Sequence, residues 1–314
     1  IAVAVKNRTM PPWPPAICED CRPIKNPRNM SAQHIAELVT WAEAGGPIVA
    51  NSPPLTAPSL TQLPRVDRTL TLPEPYTPDG SKADDYRCFV IDADLEGGAF
   101  LTGYDFTPDN AEVVHHGILY SVSAEAAEWA ASLDQNDPGP GYNCFGSPGV
   151  DAEFIAGWAP GVGATQFPEG TGIPLEAGSK VILEVHYNLV NGPQPDQSSI
   201  SLMLADSVEK PAVFYSVGQY ELGLEPGQEE VVRMVSINDL EGAVIHGIVP
   251  HMHTLGSRFQ LTLTSDKSPE ECLIDISDWD FNWQSVYFYE EPLSLNEGDE
   301  ITVACTYDTR SRTE

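Results

Sequence analysis

A chain of 314 residues is long for a single typical core and suits two domains with an appendage. Its 16 Lys and Arg against 46 Asp and Glu leave a formal net charge of -30, a field that repels phosphate backbones and anionic leaflets and disfavours nucleic acid as a partner. No apolar run reaches the ~20 residues of a membrane-spanning helix, so no membrane span is expected in this chain.

Residues 1–50 read unlike the rest. A Pro-rich segment, Met10-Pro11-Pro12-Trp13-Pro14-Pro15, precedes an amphipathic stretch whose Ile35, Leu38, Val39 and Ala42 fall on one helical stripe. Ser31 is the expected N-cap and Gly45-Gly46-Pro47 the stop, which predicts a helix from about Ser31 to Ala44. One helix makes no core, so this part reads as the end of a helical domain that begins upstream. Residues 51–80 are rich in Pro, Thr and Ser and read as an extended linker.

From there the period changes to two. Strands are expected near 86–92, 99–106, 112–122, 180–190, 198–205, 212–219, 230–237, 243–249, 258–264, 271–276, 285–289 and 300–307, separated by Gly, Pro and Asp turns, with one short surface helix over Ala124 to Leu133. The fold class is therefore all-β. Two internal echoes argue for tandem antiparallel sandwiches of the same kind. Gly178 to Tyr187 matches Gly298 to Tyr307 in its Gly, its apolar alternation and its Tyr, and Val113-Val114-His115-His116-Gly117-Ile118 matches Ala243-Val244-Ile245-His246-Gly247-Ile248. Their shared order places the first sandwich at 81–208 and the second at 209–314.

Six cysteines, at 18, 21, 88, 144, 272 and 305, are mostly isolated singles within β-like sequence. That pattern favours disulfides formed in an oxidising compartment, so the protein is expected to be secreted or periplasmic.

Six of the seven histidines lie in the β region. His251 and His253 are two apart, which on a strand aims both at one metal from the same face, with Met252 on the other. Adjacent His115 and His116 point apart in a flat strand and reach one ion only at a strand end or bulge. His186 shares a face with Ile182, Glu184 and Asn188, read as the more open side because Val181, Leu183, Val185, Tyr187 and Leu189 form the apolar one. A lone His is usually a hydrogen-bonded structural residue, but two tight pairs and a strand His point to metal. His246, at ligand spacing only with the later pair, reads as support for a ligand or as packing, not as a ligand. Imidazoles alone suit zinc and copper alike.

At these residues the chain resembles the copper type II, ascorbate-dependent monooxygenases, the family of the peptide α-hydroxylating and dopamine β-hydroxylating enzymes, over roughly 70–314. Val113 to Leu119 is similar to the family's paired-His strand, Glu184-Val185-His186-Tyr187 to its third-His strand, and Pro250-His251-Met252-His253-Thr254-Leu255-Gly256 to its His-x-His motif. Gly157-Trp158-Ala159-Pro160-Gly161 and Phe167 to Gly172 resemble the connecting segments. The resemblance implies jelly-roll-like sandwiches and two coppers per intact protein. One is expected on His115, His116 and His186, to relay an electron. The other is expected on His251, His253 and a methionine past Glu314, to bind O2 and hydroxylate a C–H bond of a small organic substrate, with His251 and His253 as the catalytic pair.

Ascorbate or a cytochrome is the implied electron donor. Residues 1–50 resemble the end of the c-type cytochrome domain of bacterial relatives, in which Met10 is the haem c axial ligand. No Cys-x-x-Cys-His accompanies it, since Arg22 follows Cys18-Glu19-Asp20-Cys21, so this chain reads as lacking both natural ends. The resemblance further implies a Cys88–Cys144 bridge and leaves Cys305 either free or bridged to Cys272. Two departures stand out: Val249 replaces the arginine with which peptide-amidating members hold a substrate carboxylate, and Glu184 stands where relatives often carry Gln.

Overall fold

The computed structural model describes residues 1–10, 15, 21–48, 60–219, 221–281 and 283–312. The chain divides into a unit of residues 57–215 and a second unit made of residues 1–56 together with 216–314.

Two helices open the chain, α1 (Ala2–Lys6) and α2 (Ala32–Glu43). The Ser31 side chain accepts from the His34 backbone N–H and caps α2, as its position before the apolar stripe predicts. Val5 and Val39 are the buried residues of the two helices, and Lys6 pairs with Glu43.

The 57–215 unit contains β1 (Arg68–Thr71), β2 (Asp84–Ile91), β3 (Ala99–Thr107), β4 (Val114–Val122), α3 (Ala124–Asn136), β5 (Tyr142–Asn143), β6 (Glu153–Trp158), β7 (Thr165–Gln166), β8 (Thr171–Leu175), β9 (Lys180–Asn188), β10 (Ser199–Ala205) and β11 (Lys210–Pro211). One sheet runs β1-β10-β3-β8-β11 with β7 beside β3, and the other runs β5-β2-β9-β4-β6. Alternate residues of both sheets share one core, among them Leu101, Tyr104, Phe106 and Leu202 from the first, and Phe89, Leu119, Leu183, Val185 and Tyr187 from the second.

Three sequence expectations change here. β1 and the buried Leu70, Leu72 and Tyr76 fall within the stretch read as linker, because the short apolar alternation of 68–72 is hidden among prolines. The strand expected at 212–219 is absent, and Lys210–Pro211 forms a two-residue parallel pair with β8 instead. The face of β9 read as open is covered: α3, Tyr120, Tyr142 and the Cys88–Cys144 bridge pack over Ile182, so the strand is buried on both faces between Val181 and Tyr187.

The second unit adds β12 (Val231–Ile237), β13 (Val244–Ile248), β14 (Gly256–Ser265), β15 (Ser268–Ile276), β16 (Tyr287–Ser294) and β17 (Asp299–Tyr307). The sheets β12-β17-β14-β15 and β13-β16 enclose a core of Phe259, Leu261, Ile274, Tyr287, Tyr289, Leu293, Ile301 and Val303. The first sequence echo falls on β9 and β17 and the second on β4 and β13, which sit differently: β4 pairs with β9, whereas β13 pairs with β16 in a separate two-stranded sheet. β9 and β17 both run in sheet interiors to a buried Tyr, and Gly117 and Gly247 both follow a His where a Cβ has no room. It would lie 2.7 Å from the Phe106 ring at Gly117 and 2.6 Å from the Tyr287 carbonyl at Gly247.

The Cys88–Cys144 bridge is present, whereas the alternative Cys272–Cys305 is corrected: Cys272 bonds Cys21, and Cys305 is free. Register explains the exclusion. Cys272 on β15 and Cys305 on β17 lie on opposite sides of β14, two strand spacings of about 4.8 Å apart, beyond the reach of a disulfide. The Cys21 Cα is 4.4 Å from that of Cys272. Around the bridge the N-terminal segment is bonded along the unit: the Arg22 N–H donates to the Cys272 carbonyl, the Lys25 N–H to that of Phe288, and the Glu290 N–H to that of Pro23.

Candidate metal centre

Three neighbouring strands of the five-stranded sheet set side chains in a row. Tyr86 on β2 is the register partner of His186 on β9, and His186 that of His116 on β4. Side chains opposite one another across a sheet share a face, here the one opposite the main core, beyond the part that α3 covers. The β4–β9 register shifts between Val114 and His116, so His115 is the extra residue and its ring joins the same cluster.

The Nδ1 atoms of His115 and His116 are 3.3 Å apart, as are those of His116 and His186, and each imidazole offers a nitrogen within 4.8 Å of the other two. Two nitrogens held about 2.0–2.1 Å from one ion at a tetrahedral angle are themselves roughly 3.3–3.4 Å apart. The spacing therefore fits a single metal with three imidazole donors. His186 is 3% exposed and the other two are half-buried. Burial pushes the pKa values of His115 and His186 below the ordinary imidazole range, which favours the neutral, ligating form.

Tautomers follow from the partners. A carboxylate only accepts, so His186 Nε2–H donates to Asp84 Oδ1 at 2.9 Å and its Nδ1 carries the lone pair. Asn188 Nδ2 donates to the same oxygen at 2.9 Å. Tyr86 stacks flat on His186, with centroids 4.1 Å apart and planes 6° apart. Burial and the charges of Asp84 and Glu184 push the Tyr86 hydroxyl up to about 12. Glu184 has partners of its own. It accepts from Tyr120 Oη at 3.2 Å and from the Gly146 N–H at 3.3 Å, and burial raises its carboxyl.

His251 and His253 lie in the connection between β13 and β14 and not on a strand, as their spacing had suggested. The segment is still extended enough to alternate: both histidines are exposed and Met252, 3% exposed, turns into the core. Their ring centroids are 5.1 Å apart. Gln284 Nε2 donates to the Phe281 carbonyl at 2.8 Å, which orients the amide so that Oε1 faces His251 Nδ1 at 2.7 Å. His251 thus holds its proton on Nδ1 and presents Nε2 as a donor atom. Among the described residues no third histidine, cysteine or carboxylate joins this pair at ligand distance, and the methionine expected past Glu314 lies outside them.

Met10 sits in the turn after α1 with half its surface exposed. Its Pro-rich neighbours 11–14 and Cys18 lie outside the described residues. Sequence reasoning missed Asp84, Tyr86, the role of Asn188, and Gln284. The first three come from strand register and the last from a loop 33 residues on.

Residues 70–194 match the N-terminal domain, and residues 232–314 the C-terminal domain, of the copper type II ascorbate-dependent monooxygenase family. DBH-like monooxygenase protein 2 of Mus musculus is 26% identical over 239 residues, which cover 67% of this chain and 36% of that protein. Tyramine beta-hydroxylase of Caenorhabditis briggsae is 25% identical over 228 residues, covering 66% and 37%. Dopamine beta-hydroxylase of Rattus norvegicus is 27% identical over 180 residues, covering 51% and 28%. The matches thus cover between 28% and 37% of the length of these relatives. Among the described residues no helix is long and apolar enough to cross a membrane.

Proposed function

The chain belongs to the copper type II ascorbate-dependent monooxygenases, and from that membership we propose that the intact protein hydroxylates a C–H bond of a small organic substrate. The overall balance is substrate, O2, two electrons and two protons going to hydroxylated product and water. Two bound coppers would supply the one-electron chemistry that joins a two-electron reductant to O2. The observation that carries this reading is the meeting of three imidazoles on β4 and β9 at ligand spacing.

Each histidine group has a separate task. His115, His116 and His186 form the electron-transfer site, where Asp84 keeps a proton on His186 Nε2 and leaves Nδ1 to bind. His251 and His253 form the protein's half of the O2 site, where Gln284 keeps a proton on His251 Nδ1 and leaves Nε2 to bind. A methionine is the third ligand there, since a thioether favours Cu(I). Val249, in place of an arginine two residues before His251, argues against a peptide substrate held by its carboxylate. Dopamine and tyramine, named in the relatives, mark the size of substrate expected and not its identity.

The electron donor is ascorbate or a cytochrome. Met10 as an axial ligand of haem c belongs to the second alternative. The two disulfides among the described residues support a secreted or periplasmic location. The deciding experiment is copper stoichiometry by elemental analysis on wild type, His116→Ala and His251→Ala, alongside reductant-dependent O2 uptake. Two coppers falling to one in each variant are expected. Loading indifferent to both substitutions returns the histidines to structural residues.

A further inference from the structure

Asp84 opens β2 directly opposite Asn188 on β9 and diagonal to His186. One oxygen, Oδ1, takes both the His186 Nε2–H and the Asn188 amide, each at 2.9 Å. The carboxylate is therefore clamped by its cross-strand partner in the position where it holds the imidazole. Tyr86, stacked on the ring, blocks rotation out of that plane. Glu184, on the same face of β9, bonds Tyr120 and the Gly146 N–H, so Asp84 is the acid seen bonded to His186.

We propose that Asp84 is a positioning residue for the copper site of His115, His116 and His186: it fixes the His186 tautomer with Nδ1 toward His116, and its charge favours oxidised over reduced copper there. The inference rests on the reading of these imidazoles as a copper site. A carboxylate accepting from the far ring N–H pushes electron density to the ligating nitrogen, and a better σ-donor with a nearby negative charge stabilises a dication more than a monocation. This site then gives up its electron more readily than the same three imidazoles without Asp84.

The test uses the full chain carrying His251→Ala, so that only the three-histidine site loads, and measures Cu(II) and Cu(I) affinities by competition with chelators selective for each state. Asp84→Asn keeps the shape and an acceptor but removes the charge. It is expected to weaken Cu(II) about 10-fold or more, within the 10- to 100-fold range typical of such partners, while leaving Cu(I) nearly unchanged. A tenfold change in the ratio raises the one-electron potential by about 59 mV. Asp84→Leu, which also removes the acceptor, weakens both states, and Cu(II) by more. A Cu(II) to Cu(I) affinity ratio equal to that of the Asp84-containing protein in both variants overturns the proposal, whether both affinities hold or both fall together. His186→Ala separates the two ideas: copper bound equally well without His186 overturns the copper reading itself.

Discussion

Removing the Cys88–Cys144 bridge is the sharpest test of how the three-histidine unit is held. The cysteines are 56 residues apart and buried under α3. Chain entropy for a closed loop of that length gives about 4 kcal/mol at 25 °C. Replacing both by alanine keeps the site apolar, so no buried thiol complicates the result. In urea, with an m-value of about 2 kcal/mol/M for a unit of this size, the transition of the 57–215 unit should fall by roughly 2 M. The transition of the other unit should stay where it is, because its own bridge joins Cys21 to Cys272. Fluorescence-detected unfolding of Cys88→Ala/Cys144→Ala against wild type reads both. A shift below about 0.5 M, or an equal shift of both transitions, would refute the reasoning: the loop would then be ordered by α3 packing alone, or the units would not unfold separately.

Two further outcomes follow from the histidine environments. Gln284→Leu leaves the His251 tautomer unpinned and should weaken copper at the second site about 10- to 100-fold with the three-histidine site unchanged, as read by the same elemental analysis at limiting copper. In metal-stripped protein, the lowered pKa values of His115 and His186 mean that, below an ordinary value of about 6.5, the unfolded chain takes up protons that the fold refuses. Stability is therefore full above that pH and is lost as pH falls, by at most about 1.4 kcal/mol per pH unit per group. His186→Gln should lose less between about pH 7 and about pH 5.5; an identical loss would refute the burial argument.

The β-class, the capped helix at 32–43 and most long strands were legible because each rests on local periodicity or a local cap. The short strands β5 to β8 were not, because two to six residues among Gly and Pro carry no measurable alternation. The histidines were legible from clustering, and the pairing rule for adjacent residues anticipated the irregularity at His115. Their supports were not. Asp84 lies 102 residues from His186, and only the β2–β9 register brings them together. The covered face of β9 was misread for a related reason: alternation along one strand tells nothing of a helix arriving from 124–136 to bury the other side.

The bridge between Cys21 and Cys272 imposes an order on biosynthesis. During synthesis Cys21 waits for a partner 251 residues downstream, on the order of ten to fifty seconds at roughly 5–20 residues per second. In that interval the whole 57–215 segment emerges, including Cys88 and Cys144, so a reduced Cys21, which already has Cys18 beside it, meets these two further wrong partners before its own. Fast closure of Cys88–Cys144, driven by folding of the intervening unit, removes both competitors before residue 272 is made. A nascent chain that folds the inserted unit slowly is thus the one most exposed to mispairing, and thiol–disulfide isomerase activity should matter most for its yield.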